Sequence, residues 1–114
     1  MIIITGRAKI HPDQRDAAIS AAQDMRKHTI GEPGCIDYRF WSATDDPNAI
    51  LLLEQWQEQT ALTTHLAAPH TAAFLAKIGP AVDGTLEVTR FEVSNHGPLN
   101  AGASGAGSLA SPGI

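Results

Sequence analysis

The stretch CIDYRFWSATDDPNAILLLEQW, Cys35 to Trp56, decides the fold. In its first part Ile36, Tyr38 and Phe40 fall on one face and Asp37, Arg39 and Trp41 on the other, the period of two that marks a strand. Thr44-Asp45-Asp46-Pro47-Asn48 carries the chemistry of a turn. Ala49 to Trp56 then forms a second strand, whose run Ile50-Leu51-Leu52-Leu53 is apolar on both faces, as in a central or doubly covered strand. Glu54 and Trp56 share the face of Ile50 and Leu52. Two such strands joined by a short turn make a hairpin.

On the N-terminal side, Ile2 to Ile10 reads as a strand with Ile2, Ile4, Ala8 and Ile10 on one face. His11-Pro12-Asp13 opens a helix, since proline is tolerated in the first turn and an acid suits the positive end of the helix dipole. From Gln14 to Thr29, Ala18, Ala21, Ala22 and Met25 form its apolar stripe. Gly31 stops it, and Glu32-Pro33-Gly34 is a turn. Beyond the hairpin the pattern predicts helices over Thr60 to Leu66 and His70 to Lys77, broken at Ala67-Ala68-Pro69, and a last strand from Thr85 to Val93. The order β-α-β-β-(α-α)-β with right-handed crossovers gives an α+β, ferredoxin-like sandwich, a four-stranded antiparallel sheet with helices on one face. The other face still carries large apolar groups. Two copies closing these uncovered faces on each other are the simplest cover, and they are expected to enclose an oily chamber with imidazoles at its rim.

Composition narrows the function. The chain has 114 residues, room for one domain, and 43% hydrophobic residues are enough for a buried core. Eight Lys and Arg against twelve Asp and Glu leave a formal charge of −4, which argues against a nucleic-acid partner. No apolar run approaches the ~20 residues that span a bilayer, so no membrane partner is expected. The N-terminus does not read as a secretory signal, and Cys35, the one cysteine, has no internal disulfide partner. A cytoplasmic protein is the expectation. From His96 to Ile114 no Asp, Glu, Lys or Arg occurs, and five of the ten glycines lie there. Residues 1–95 are therefore expected to be the folded domain and 96–114 a flexible tail.

His65 and His70 flank the helix break, so each can project near the opening between helix and sheet. Imidazoles suit proton shuttling because their ordinary pKa lies near neutrality; alternatively, His70 caps its helix and His65 is a partly buried helix end. No metal site is expected. The two histidines are five residues apart, which does not place them on one helix face, and neither predicted helix offers an acid or cysteine as third ligand. Glu54 ends an apolar strand and, if buried, needs a partner, for which Arg90 and Arg39 are candidates. Trp56, Trp41, Tyr38, Phe40, Phe74 and Phe91 either line a pocket for a flat organic ligand or pack the core and a subunit interface.

Glu32-Pro33-Gly34-Cys35-Ile36-Asp37-Tyr38-Arg39-Phe40, Asp46-Pro47, Leu53-Glu54-Gln55-Trp56, Ala61-Leu62, His65 and Pro69-His70 with Phe74 together resemble the antibiotic biosynthesis monooxygenase family, which includes quinol monooxygenase-like proteins. The resemblance runs from residue 2 to about 93. It implies a homodimeric α+β barrel and a monooxygenase that oxidises a phenolic or quinol-type small aromatic molecule with O2, using no metal, flavin or other cofactor. Carried onto this sequence, it implies His65 as proton acceptor or relay and His70 as a second polar contact, both catalytic. Trp56 and Phe74 become pocket wall, with Tyr38, Phe40, Glu54 and Arg90 as further substrate-binding residues. Gly6, His65 and Leu75 stand where the haem-degrading branch carries Asn, Trp and His, so that activity is not implied. A sugar-phosphate isomerase of the same fold would need cationic contacts, and 57–78 offers only Lys77. The alternative function is a non-catalytic, stress-associated dimer that holds a small hydrophobic molecule.

Overall fold

A computed structural model describes residues 1–99. Of the tail expected over 96–114, residues 100–114 lie outside the described residues. The elements are β1 (Ile2–Ile10), a 3-10 turn (Pro12–Gln14), α1 (Arg15–Thr29), β2 (Cys35–Ser42), β3 (Ala49–Trp56), α2 (Gln59–Leu66), α3 (Pro69–Ile78), a second 3-10 turn (Gly79–Ala81) and β4 (Val82–Glu92). The strands form one sheet in the order β2-β3-β1-β4, with every neighbouring pair antiparallel. This is the ferredoxin-like α+β sandwich expected from the hydrophobic periods.

The helix-covered face of the sheet follows from register. Tyr38, Glu54, Ile4 and Arg90 form one transverse row across β2, β3, β1 and β4, and Phe40, Leu52, Gly6 and Val88 form the next. Ile2, Ile4 and Ile10 are buried against the helices, as the alternation in β1 requires. From α1 come Ala18, Ala22, Met25 and Thr29, spaced four, three and four residues apart on one stripe. The opposite face of the sheet has no helix, and its Trp41, Leu51 and Phe91 are exposed in the single chain.

Two local departures from simple alternation have physical causes. The β2–β3 register shifts between Cys35 and Asp37, so Ile36 is an extra residue at a bulge. Cys35, not Ile36, therefore packs on the core, and Ile36 is exposed, against the expectation that it shares the face of Tyr38. β4 begins at Val82 and not at Thr85, because Val82 pairs with Ile10 and Asp83 with Lys9. The loop-like signals of Pro80 and Gly84 hide this start; Gly84, at φ +91°, lies where the β1–β4 register shifts.

Candidate active site

The site begins with a turn. After α1, the amide of Glu32 donates to the carbonyl of Thr29 at 3.0 Å and the amide of Cys35 donates to the carbonyl of Glu32 at 3.1 Å. Gly34 adopts φ +81°, and a β-carbon there would lie 2.5 Å from Cβ of Ala61 on α2. Only glycine lets the turn run this close to α2. The close passage delivers the Glu32 carboxylate to the far end of α2, where His65 sits.

His65 is almost fully buried, and its two ring nitrogens meet two different carboxylates. Nδ1 lies 2.7 Å from Oε2 of Glu32 in an aligned hydrogen bond, and Nε2 lies 3.9 Å from Oε1 of Glu54. The ring packs 4.8 Å from the Trp56 indole and 5.6 Å from the Tyr38 phenol, centroid to centroid. Glu54 accepts a 2.9 Å hydrogen bond from Nε1 of Trp56. Burial pushes the Glu54 carboxyl up to about 7, the Trp56 N–H opposes that shift, and the Glu32 charge reinforces it. Burial holds the His65 imidazole below its usual range, against the hydrogen bond and charge of Glu32. The Tyr38 hydroxyl is raised by burial and stays neutral, as does the Cys35 thiol, which burial and neighbouring acids push up to about 11.

On the far side of Glu32, Nε2 of His70 lies 3.0 Å from Oε1, but the contact is not aligned as a hydrogen bond and that nitrogen has no other partner. Among the described residues, Glu32, His65 and His70 are the one group of three side chains whose donor atoms, within 4.8 Å of one another, can be considered for a metal ion. The helix-only reasoning missed its carboxylate, which comes from the turn. The Nδ1 direction of His65 is already taken by Glu32 Oε2, and each carboxylate oxygen faces its own imidazole. Only the His65 contact is aligned for a shared proton; the His70 contact is a close approach without a hydrogen bond.

A cavity of about 620 Å³ lies between the helices and the sheet of one chain. Ile4, Met25, Phe40, Leu62 and Phe74 give it apolar walls, while Glu54, His65, Tyr38, Arg26 and Arg90 add the polar groups. Of the candidate site residues named from the sequence, Tyr38, Phe40, Phe74, Glu54, Arg90 and His65 line it. Trp56 does not line it; the indole is fully buried behind Glu54 and His65. His70 is also off the wall, as is Glu32; both reach it through His65, which Glu32 bonds and whose ring lies 5.9 Å from that of His70.

The ion pair expected for Glu54 does not form. Arg90 shares its transverse row, but β1 intervenes, which separates the backbones by roughly 9–10 Å, and Arg90 Nε donates instead to Gln59 Oε1 at 2.8 Å. Arg39 lies on the other face and stacks 5.9 Å from the Trp41 ring. Two site residues were not anticipated. Glu32 reads locally as a plain turn residue, and Arg26, whose buried Nε has no partner, carries only the weak signal of following Ala22 by one helical turn.

The first 77 residues match the family model described as "Antibiotic biosynthesis monooxygenase". A Bacillus subtilis (strain 168) protein named "Putative monooxygenase YcnE" is 29% identical over 94 residues, which cover 82% of this chain and 99% of that one. An uncharacterised Synechocystis protein is 32% identical over 76 residues, 67% of this chain and 52% of its own length. Among solved structures, a Deinococcus radiodurans protein described as a putative antibiotic biosynthesis monooxygenase superposes with a TM-score of 0.79 at 23% identity, covering 84% of this chain and 95% of that one. A Mycobacterium tuberculosis protein gives 0.78 at 24%, covering 83% and 96%. At these identities the structural likeness speaks to the fold.

Proposed function

This chain belongs to the antibiotic biosynthesis monooxygenase family, and from that premise we propose that it is a monooxygenase that oxidises a phenolic or quinol-type small aromatic molecule with O2. We further propose a cytoplasmic homodimer. Among the described residues no helix is long and apolar enough to cross a membrane. A phenol and O2 give a quinone and water: one oxygen atom enters the ring, the other leaves as water, and the organic substrate supplies the electrons. The difficult first requirement is removal of the phenol proton, because the phenolate is the better electron donor.

The observation that carries this reading is the Glu32–His65 hydrogen bond beside an apolar cavity. Donation from Nδ1 to Glu32 fixes the tautomer in which Nε2 is an unprotonated acceptor. Nε2 and Glu54 Oε1 are 3.9 Å apart, so one substrate oxygen can sit about 2.8 Å from both. An imidazole that burial keeps unprotonated beside apolar walls is free to take the substrate's proton. Trp56 then acts on Glu54 and His65 from behind, as a positioning residue. Phe40 and Phe74 offer ring surface to a flat substrate, and Arg26 and Arg90 bring positive charge to the wall where a phenolate develops.

Oxygen uptake with a panel of hydroquinones and naphthols tests the reading. The wild type is expected to accelerate oxidation of at least one of them, and His65→Ala, with its fold retained, to lose roughly 100-fold or more in kcat. Turnover by His65→Ala at the wild-type rate removes His65 from the chemistry. Oxidation of the entire panel at its uncatalysed rate overturns the oxygenase reading in favour of a binding protein that uses the same cavity.

A further inference from the structure

Beyond the groups that touch substrate, four side chains alternate in type and run outward from the cavity. Glu54 Oε1 faces His65 Nε2 at 3.9 Å, His65 Nδ1 meets Glu32 Oε2 at 2.7 Å, and Glu32 Oε1 faces His70 Nε2 at 3.0 Å. From His65 outward, side-chain exposure rises from 3% to 15% at Glu32 and 23% at His70, while Glu54 on the cavity side stands at 8%. Each interior member is two-ended. An imidazole takes a proton on one nitrogen and yields one from the other, and a carboxylate takes a proton and can turn to present it elsewhere.

We infer that Glu32 and His70 form the outer half of a proton path that carries the substrate's proton from His65 to solvent. The inference rests on the oxygenase reading for its purpose, but its geometry stands apart from any substrate. A base with only 3% of its side chain exposed accepts one proton and is then spent unless that proton leaves, and a route through the packed wall lets it reset while the substrate still occupies the cavity. Proton transfer here makes and breaks only N–H and O–H bonds. His65 Nε2 gains the substrate proton and its Nδ1–H passes to Glu32 Oε2. The Glu32 carboxyl then turns to present that same O–H to His70 Nε2, and His70 gives its Nδ1 proton to solvent. Reorientation of the His65 ring, left as the Nε2–H tautomer, returns a free nitrogen to the substrate. The Glu32–His70 contact is short but unaligned, so a turn of the His70 ring controls it. His70 stacks on His28 at 5.6 Å between centroids, which holds that ring at the surface end. Tyr38 and Cys35 from β2 and Arg26 and His28 from α1 are the other titratable or charged groups placed around the four, and Tyr38 and Cys35 stay neutral at physiological pH.

Two measurements on the full chain test it. Nitrogen-15 NMR titration of the histidine rings is expected to show His65 and His70 each responding to the other's protonation, and Glu32→Gln to abolish that mutual response. In turnover assays, His70→Gln is expected to lower kcat roughly tenfold in dilute buffer with KM unchanged, and added imidazole to restore it; His70→Asn serves if the glutamine variant does not fold. A His70 titration indifferent to Glu32→Gln, or wild-type kcat for the His70 variant in dilute buffer, overturns the path. Absence of wild-type turnover on every substrate instead overturns the oxygenase reading, while the NMR coupling still decides whether the four groups share protons.

Discussion

The two ends of the layer between helices and sheet are built differently. At one end Ile2, Ile4, Met25, Tyr38, Trp56 and Leu62 are all buried around His65. At the other, the buried cluster is Ile10, Ala18 and Ala81, with Ile50, Ile78 and Val82 only partly covered. The acids and imidazoles that chemistry would use lie at the dense end. An imidazole held between two carboxylates has to be fixed to within a few tenths of an ångström, and a tightly packed aromatic surround supplies that rigidity. The other end holds fewer fully buried side chains, and two of its three are alanine. The cavity walls draw on both ends, so a guest can be accommodated at one and gripped at the other.

The largest effect is expected from breaking the dense end. Trp56→Ala removes a fully buried indole and the 2.9 Å N–H donor to Glu54. The lost packing alone costs about 3–5 kcal/mol, and leaving a buried carboxyl without its donor adds about 1–3 kcal/mol. Against a typical total of about 5–15 kcal/mol, the variant is expected to be largely unfolded at 37 °C, read from its urea midpoint. Trp56→Phe keeps much of the volume and isolates the hydrogen bond. An alanine variant within 1 kcal/mol of wild type would mean that the two ends do not differ in packing.

The middle effect separates charge from packing at the same end. Glu54 has its carboxyl raised to about 7 from an ordinary 4.5. Between those values the folded chain keeps a proton that the unfolded chain releases, so this residue's contribution to stability falls as pH rises and levels off above about 7. Full ionisation costs on the order of 2–3 kcal/mol. His65 has the opposite sign: its depressed pKa makes folding more favourable as pH rises toward 6.5, and Glu54→Gln retains that imidazole. The glutamine variant, whose amide oxygen still accepts from Trp56, is therefore expected to gain stability relative to wild type from pH 5 to 7.5. Thermal unfolding at both pH values measures it; a constant difference would show that Glu54 titrates normally.

What could be read in advance follows the same division. Strand period, helix stripe and hairpin turn are local patterns, so element order and sheet topology were legible from Ile2 to Glu92. His65 and Glu54 stood out as an imidazole and a carboxyl among apolar neighbours. Glu32 did not, because nothing within the turn shows that Gly34 lets it pass against Ala61, a contact between segments 27 residues apart. The bulge at Ile36 was hidden for a related reason: alternation assumes a perfect ladder, and only pairing with β3 reveals the extra residue. The Arg90 pairing failed on distance, since a shared face says nothing of the strand lying between.

The smallest effect is expected at the sparse end, where Ile50 is only partly buried and lines the cavity. Ile50→Val removes one methylene. In a close-packed core this costs about 0.5–1.5 kcal/mol, because neighbours cannot relax into the space. Here the group already borders open volume, so fewer contacts are lost and about 0.5 kcal/mol is expected, a shift of a few degrees or less in Tm. Substrate binding should respond more than folding, since the wall facing the guest recedes while Glu32, His65 and Glu54 stay in place. KM for a bulky phenol is expected to change with kcat held. A stability loss above the ordinary core range would show that Ile50 is as tightly packed as the residues around His65. A fall in kcat without a change in KM would show that the two ends are mechanically coupled, so that packing around Ile50 helps to aim the imidazole.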